Sequence, residues 1–174
     1  MARLDIIIAP DSRLKKKCEP IEKVDAHLVK FIDDMLQTMY SAPGVGLSAP
    51  QVGVHKRIIV VDPARGDKKP QPYKLINPEI VWASKTEIMQ EEGCLSLPSF
   101  YENVLRPDSV KVRYIDVDNN TCELAADGPL SVMIQHEIDH LDGLLFVDHV
   151  TKLKRNMILR KLKKIKKQKV IGSV

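Results

Sequence analysis

The sequence predicts an α+β fold, in which antiparallel strands surround a largely buried helix, with an amphipathic helix before the strands and a basic helix after them. Three observations support this prediction. A helical pattern precedes several short runs rich in Ile and Val, those runs lack helix-length crossovers between them, and a more apolar helical pattern follows. Strands joined without crossover helices pair antiparallel, which is typical of the α+β class.

The first helix is predicted over residues 25–40, DAHLVKFIDDMLQTMY. Asp25 is a suitable N-cap, and Pro43-Gly44 follows shortly after the end of the pattern. Apolar residues recur at helical spacing and predict one buried face. These residues are Leu28, Phe31, Ile32, Met35, Leu36 and Met39.

The middle of the chain predicts strands. Four short runs are rich in β-branched residues and are bounded by Pro, Gly, Asn or Asp, as strands joined by turns usually are. The runs are KRIIVVDP, YKLINPEIVWA, TEIMQ and SVKVRYIDVD, and DNNT after the last of them predicts a hairpin tip.

A second helix is predicted over residues 131–142, SVMIQHEIDHLD, with Gly143 ending it. Its apolar residues, at positions 132, 133, 134, 138 and 141, surround much of its circumference. Such a helix is expected to be largely buried.

Length and composition indicate one ordered body with an appended tail. A chain of 174 residues with 44% hydrophobic content is long enough to bury a core. The three cysteines are scattered and odd in number, which argues against a secreted disulfide framework. The sequence has no signal-peptide core and no apolar stretch long enough to span a membrane, so we expect a cytoplasmic protein.

The charge divides the chain into two parts. Ten of its 27 Lys and Arg residues fall in residues 152–169, which leaves 17 against all 23 acidic residues in the rest of the chain. We therefore expect a catalytic domain at 1–150 and a basic helix or tail at 151–174. A narrow apolar stripe, Ile158, Leu162 and Ile165, makes that helix amphipathic. Ribosomal RNA, an anionic membrane surface and the body of the protein itself are possible partners for it, and DNA is not expected.

The segment QHEIDHLDG, residues 135–143, predicts a metal site on the buried helix. His136 and His140 are four positions apart, so both imidazoles leave one face of the helix and can converge on one ion. Glu137 follows His136 and can reach a water molecule at the metal without being a ligand. An ordinary charged helix surface is the alternative.

The third ligand is expected upstream of this segment. A histidine six positions after His140 is excluded because Phe146 stands there, and Asp142, Asp148 and His149 lie too close to the predicted helix end for their direction to be certain. Cys94, in the turn-like context EEGCLSLP, offers a thiolate that Zn²⁺ or Fe²⁺ would stabilise. A buried structural thiol is the alternative for Cys94.

Three segments together resemble the bacterial peptide deformylases: GVGLSAPQ at 44–51, EGCLS at 92–96 and QHEIDHLDG at 135–143. The resemblance extends over about residues 4–150. It implies removal of the formyl group from the N-terminal formylmethionine of nascent polypeptides, with release of formate. It also implies one metal ion held by Cys94, His136 and His140, with Fe²⁺ preferred and Ni²⁺, Co²⁺ or Zn²⁺ able to substitute.

The resemblance also implies roles for other residues. Glu137 would act as general base and then general acid, and the Gln51 amide and the Leu95 backbone N–H would donate to the developing oxyanion. Five residues are expected to bind substrate: Val45, Gly46 and Gly93 along the peptide, and Val132 and Met133 in the apolar pocket for methionine. Core packing is the alternative for the last two. Because nascent chains emerge at the ribosome, we expect the basic tail to bind there.

Three further positions have expectations of their own. Ser48 replaces the alanine usual in the family, and its hydroxyl should matter little if it finds a partner. Tyr101 stands where some relatives have an arginine near the substrate cleft, so the peptide preference beyond methionine is open. Arg106 is expected to pair with Asp139 and steady the metal helix.

Two other functions compete with this interpretation. A metallopeptidase is disfavoured because no acidic residue follows Asp148 and because Cys94 makes a softer site than proteases of the HExxH kind usually have. An RNA-binding module with a structural metal is favoured by the tail alone. Three ligands beside a glutamate fit an open, catalytic position better than a closed, structural one.

Overall fold

The computed structural model describes residues 2–64 and 66–171, and it confirms the α+β fold. Residues 172–174 of the predicted basic tail lie outside the described residues. The described residues form three α-helices: α1 at Ala26–Ser41, α2 at Gly128–Leu141 and α3 at Lys152–Ile171. None of the described helices is both long and apolar enough to cross a membrane.

In the part of the chain that the structure describes, seven strands form two antiparallel sheets. The strands are β1 at Gly46–Ser48, β2 at Ile58–Val61, β3 at Tyr73–Ala83, β4 at Glu87–Cys94, β5 at Leu97–Pro107, β6 at Ser109–Ile115 and β7 at Thr121–Asp127. The larger sheet has the order β1-β2-β3-β6-β7, and β4 and β5 form a separate two-stranded ribbon. Among the described strands, β1 and β4 therefore each have an unpaired edge.

The five-stranded sheet lies between α1 and α2, which explains why β2 is apolar at every position. Ile59 and Val61 pack with residues of α2, whereas Ile58 and Val60 pack with residues of α1. Successive side chains of a strand point to opposite faces, so a strand covered on both faces needs a continuous apolar run. The run IIVV meets that need.

The first two helices agree closely with their predictions. Asp25 caps α1 by accepting a hydrogen bond from the Leu28 backbone N–H at 2.8 Å. The second helix begins three residues earlier than predicted, at Gly128, because Pro129 is favourable in a first helical turn. Its end at Leu141 is followed by Gly143, whose φ of +78° suits glycine. A Cβ there would also lie 2.7 Å from the Lys15 carbonyl carbon.

Strands β1 and β5 were not predicted, and β7 was implied only by the predicted hairpin tip before it. The β5 sequence LPSFYENVLRP contains two prolines and no clear alternation of apolar residues. It extends because it pairs with β4 along almost its whole length, from Glu87 opposite Pro107 to Gly93 opposite Tyr101. The predicted hairpin tip is confirmed, since residues 116–120 connect β6 to β7.

The basic helix α3 docks on the body through part of its apolar stripe. Ile158 and Leu162 are buried in a cluster with Ile7, Val104 and Phe146. Ile165, the third member of the stripe, is 42% exposed. Three partners were considered for this helix. The structure shows it in contact with one of them, the body of the protein.

Candidate metal centre

The end of β4 and one face of α2 bring three potential metal ligands together. One ligand atom each from Cys94, His136 and His140 lies within 4.8 Å of the other two. The Cys94 Sγ is 3.3 Å from His140 Nε2. The two histidines lie one helical turn apart on the same face, as the spacing predicted.

The β4–β5 connection fixes the direction of the cysteine. Regular pairing ends at Gly93, a register shift follows, and Cys94 then pairs with Leu97 around a tight turn at Leu95-Ser96. Such irregularities re-aim side chains at functional sites. Here the shift places the Cys94 thiol beside α2.

The chemistry of these residues fits a resident metal ion. A thiolate and two imidazoles are ligands suited to Fe²⁺, Zn²⁺ and other transition metals. Burial lowers the pKa of His140 well below its usual value, which keeps the ring neutral, the form that binds a metal. The Glu137 Oε2 is buried with no hydrogen-bond partner among the described residues, which fits a carboxylate that serves a water or substrate.

A buried carboxylate orients the first histidine. The His136 Nδ1–H donates to Glu92 Oε1 at 2.8 Å, and this leaves Nε2 to face the metal position. Burial opposes the charge on Glu92, but hydrogen bonds from His136 and Arg106 outweigh burial and lower the pKa of Glu92 to about 2. No role for Glu92 was predicted from the sequence. The only signal for it was an acid two residues before Cys94.

Arg106 connects this carboxylate to the metal helix. Its guanidinium donates to both oxygens of Glu92, at 2.6 and 2.9 Å, and to Asp139 Oδ2 at 2.9 Å. The expected pairing of Arg106 with Asp139 is confirmed. His149 adds a further contact, 2.7 Å from the same oxygen of Asp139.

Glu137 lies next to the ligand cluster in a buried environment. Burial raises the pKa of its carboxyl to about 7. A group with a pKa near neutrality can both accept and return a proton under ordinary conditions. The backbone of Gly46 passes so close that a Cβ there would lie 2.9 Å from Glu137 Cδ.

The Gln51 side chain is held in one orientation. Its Oε1 accepts from the backbone N–H of Ser48 at 2.9 Å and from the Ser48 hydroxyl at 2.8 Å. Its Nε2 therefore points the other way, to Ser96 Oγ at 3.1 Å and Cys94 Sγ at 3.4 Å. The Ser48 hydroxyl is therefore hydrogen-bonded. This was the condition under which a serine in place of the usual alanine should matter little.

A cleft of about 410 Å³ opens beside the three potential metal ligands. All five expected substrate-binding residues line it: Val45, Gly46, Gly93, Val132 and Met133. Gln51 and Leu95 line it too, so the cleft, the two expected oxyanion donors and Glu137 adjoin one another. Phe100 and Tyr101 also line the cleft, and neither was predicted to bind substrate.

Comparisons with known proteins agree over nearly the whole chain. The family model described as polypeptide deformylase matches residues 3–156. The peptide deformylase of Mesorhizobium japonicum is 48% identical, over 97% of this chain and 96% of that protein. The peptide deformylase of Phenylobacterium zucineum is 49% identical, over 94% of this chain and 97% of that protein.

Solved structures show the same likeness. A crystal structure of peptide deformylase from Ehrlichia chaffeensis has a TM-score of 0.92 and 40% identity, and the match covers 97% of this chain and 99% of that one. A second structure from that organism, in complex with actinonin, has a TM-score of 0.90 and 42% identity over 94% of this chain and 98% of the other. With the family model, the relatives and the fold in agreement, this chain belongs to the polypeptide deformylase family and is a metal-dependent enzyme.

Proposed function

We propose that this chain removes the formyl group from the N-terminal formylmethionine of nascent polypeptides and releases formate, at one metal ion held by Cys94, His136 and His140. One observation carries the proposal: three ligand atoms within 4.8 Å of one another lie beside the buried carboxylate of Glu137. Three protein ligands leave a position open at the metal, which is typical of catalytic sites. Family membership supports the same reaction.

The reaction needs an activated water because a formamide is a poor electrophile. When bound, the metal held by Cys94, His136 and His140 would supply the Lewis acidity that acidifies water and polarises the formyl carbonyl. Glu137 accepts the proton of the attacking water and afterwards passes it to the leaving amine. Its pKa of about 7 suits both steps, since burial disfavours the charged carboxylate and raises its affinity for a proton.

Two donors stabilise the negative charge that develops on the formyl oxygen. These are the Gln51 Nε2 and the Leu95 backbone N–H. The two hydrogen bonds from Ser48 hold the Gln51 amide in advance, so little reorganisation is needed during the reaction.

The substrate peptide binds between two unpaired strand edges. Strand β1 lies at one edge of the larger sheet, and β4 pairs only with β5 among the described strands. Gly46 and Gly93 on these edges let a peptide backbone approach, and an extended peptide can add to such edges. Val132 and Met133 line the same cleft and supply apolar surface for the methionine side chain.

The metal is Fe²⁺, with Ni²⁺, Co²⁺ or Zn²⁺ able to replace it. A thiolate together with two imidazoles favours such borderline metals over Mg²⁺ or Ca²⁺, which prefer oxygen ligands. Fe²⁺ and an accessible thiolate both oxidise readily, so the iron-loaded enzyme is handled without oxygen.

The enzyme works in the cytoplasm, and its basic helix binds the ribosome. In this proposal, residues 1–150 form the catalytic domain and 151–174 the ribosome-binding element. Several cations of α3 are exposed and have no ion-pair partner among the described residues: Arg160, Lys161, Lys163, Lys164 and Lys167. A row of exposed cations gains affinity for RNA by releasing counterions from phosphates.

The test is formate release from formyl-Met-Ala-Ser by protein purified without oxygen and loaded with Fe²⁺ or Ni²⁺. Wild type and Glu137→Gln are compared at equal metal content, and we expect a loss of about 10²- to 10⁴-fold in the variant. Absence of formate from folded, metal-loaded wild type would refute the proposal. Cleavage of the unformylated peptide would instead identify a peptidase.

A further inference from the structure

One wall of the cleft is formed by residues 42–46, which follow α1 and end in the first residue of β1. The Gly44 backbone N–H donates to the carbonyl of Met39 in α1 at 2.9 Å. The Val45 carbonyl accepts from the backbone N–H of Asp62, the residue directly after β2, at 2.9 Å. These two hydrogen bonds attach the segment to the helix before it and to the neighbouring strand.

The hydrogen bond between Asp62 and Val45 extends the β1–β2 pairing to the cleft wall. Gly46 is opposite Val61, so Val45 is opposite Asp62. In an antiparallel pair, the backbone groups of successive residues alternate between the partner strand and the other side. Since the Val45 carbonyl bonds to Asp62, the N–H and C=O of Gly46 point to the open edge, where the substrate backbone is proposed to pair. The position of this edge therefore depends on how firmly Asp62 is held.

The Asp62 carboxylate is buried and joins the end of α1 to both ends of the loop between β2 and β3. Its Oδ2 accepts from the hydroxyl of Tyr40, in the last turn of α1, at 2.5 Å. Its Oδ1 accepts from the Ala64 backbone N–H at 2.8 Å, and the Gln71 backbone N–H donates to both oxygens at 3.2 Å. A buried carboxylate held by several donors has little freedom to move, so the backbone of Asp62 is fixed with it.

Tyr40 supplies this carboxylate with a donor that persists at ordinary pH. Burial, together with the hydrogen bond to Asp62, raises the pKa of Tyr40 to about 12, so the hydroxyl keeps its proton. Neither Tyr40 nor Asp62 is among the described residues that line the cleft. An effect of this pair on the substrate must therefore pass through residues 42–46.

We propose that Tyr40 and Asp62 are positioning residues that hold residues 42–46 in the conformation with which the substrate backbone pairs. This inference rests on the proposed deformylase function. A peptide that adds to an edge already in place does not have to order it, so less binding energy is lost. If the edge is in place only part of the time, the apparent affinity falls by that fraction. A bound peptide itself holds the edge, so the pair acts on substrate binding rather than on the chemical step.

The first test uses Tyr40→Phe, which removes the hydroxyl and keeps the ring. For formyl-Met-Ala-Ser at equal metal content, we expect KM to rise by about three- to tenfold, as loss of one hydrogen bond allows, and kcat to stay within about twofold of wild type. Tyr114→Phe is the matched control, because Tyr114 is half-buried on β6, which β2 and β3 separate from β1. An unchanged KM in Tyr40→Phe, a fall in its kcat alone, or an equal rise in KM in both variants would overturn the proposal.

The second test needs no turnover. Amide hydrogen exchange of the metal-loaded protein, followed by mass spectrometry, measures how often residues 42–48 open locally. Fragments covering this segment should exchange about three- to tenfold faster in Tyr40→Phe than in wild type or Tyr114→Phe, whereas fragments from α2 should exchange equally in all three. Equal exchange of residues 42–48 in the three proteins would also overturn the proposal. Failure of the deformylase function is distinguishable, because wild type would then release no formate whatever its exchange rates.

Discussion

Arg106 donates to Asp139 at 2.9 Å and so ties β5 to the helix that carries both histidines. The same guanidinium holds Glu92, which in turn holds His136. Arg106 and Glu92 are both buried, so each charge depends on the other for its stability. The position of the proposed metal ligands therefore rests on a chain of contacts that crosses from the ribbon to α2.

Removing the arginine is expected to damage both stability and metal binding. Arg106→Met should lower the free energy of unfolding by about 3 to 5 kcal/mol, since it leaves Glu92 buried without its partner. Asp139→Asn should cost about 1.5 to 3 kcal/mol, because it weakens the contacts of the carboxylate with both Arg106 and His149. The measurement is urea unfolding of each variant at equal metal content, with retained metal measured in parallel.

A double-mutant cycle separates the contact between Arg106 and Asp139 from the other contacts of Arg106. For Arg106→Met with Asp139→Asn we expect a coupling of about 1 to 3 kcal/mol. Additive effects of the two substitutions would show that Arg106 acts through Glu92 alone and that its contact with Asp139 does not steady α2.

Gly46→Ala is expected to remove activity with little loss of stability. The new methyl group would lie against Glu137, and the nearest atoms are those at the flexible end of that side chain. The carboxylate can therefore move aside at low cost, but it then leaves the place where it serves as a base. We expect kcat to fall by about 10²- to 10⁴-fold, the range for loss of a general base, with unchanged metal content.

Gly44→Ala is the control for this loop. There the added Cβ meets the Leu95 side chain, 2.6 Å from Cδ1, rather than Glu137. Its effect on kcat should be smaller than that of Gly46→Ala. Equal losses in the two variants would indicate that the loop as a whole is sensitive and that displacement of Glu137 is not the cause.

Gln51→Glu tests the proposed oxyanion donor. The substitution keeps the shape and removes the Nε2 donor, so kcat should fall by about 10²- to 10³-fold while KM changes little. Ser48→Ala removes one of two hydrogen bonds to Gln51 Oε1 and leaves the backbone N–H in place. The kcat of Ser48→Ala should fall by no more than about tenfold. A change in KM alone for Gln51→Glu would place Gln51 in ground-state binding instead.

The helices and the two histidines could be predicted from the sequence because their signals are local. The apolar spacing and the Asp25 cap predicted α1 to within one residue at each end. The interval from His136 to His140 is itself one helical turn, so their common face followed directly. The resemblance to the family then predicted that Cys94 belongs to the same site.

Other parts of the site depend on contacts between distant segments. Strand β5 has two prolines and weak alternation, and only its pairing with β4 makes it a strand. Glu92 and His136 are 44 positions apart, so nothing in the sequence indicates that one orients the other. Tyr101 was noted as a departure from some relatives, but its position over Gly93 required the register of the ribbon.

Metal removal is expected to inactivate the enzyme without unfolding it. Three clusters of buried side chains hold the fold, and the ligands lie on elements that those clusters already support. Chelation should therefore abolish formate release and leave the far-ultraviolet circular dichroism unchanged, and added Fe²⁺ or Ni²⁺ should restore activity. A chelated protein that unfolds would assign the metal a structural role.

Alkylation gives a second measure of metal release. The Cys94 thiol should react with iodoacetamide once the metal is removed and should be protected when it is bound. Cys18 serves as an internal control, since burial raises its pKa to about 11 and keeps it in the unreactive thiol form in either state. Mass spectrometry of the two cysteine peptides checks this, and equal labelling of Cys94 with and without metal would argue against its role as a ligand.

The proposed ribosome binding is best tested by neutralising cations of α3 rather than by deleting the helix. Deleting α3 would also remove Ile158 and Leu162 from the core, at a cost of about 3 to 6 kcal/mol, so weaker binding would have two explanations. Neutralising Arg160, Lys163 and Lys167 to glutamine leaves that packing intact because all three are exposed. We expect weaker ribosome binding and a shallower salt dependence. The slope of log K against the logarithm of the salt concentration should become less steep by about 0.7 to 0.9 for each phosphate that the helix no longer neutralises.

The control is a second triple variant with the same change in net charge on the body, at Lys23, Lys30 and Lys85, which are also exposed. If overall charge alone drew the enzyme to the ribosome, both triple variants would lose affinity equally. If α3 is the contact, the body variant should keep the wild-type affinity and slope, because its charges lie outside the row of cations on the helix. Co-sedimentation with ribosomes over a range of salt concentrations distinguishes the two. Thermal unfolding of both variants would show whether α3 has stayed docked, which the packing of Ile158 and Leu162 leads us to expect.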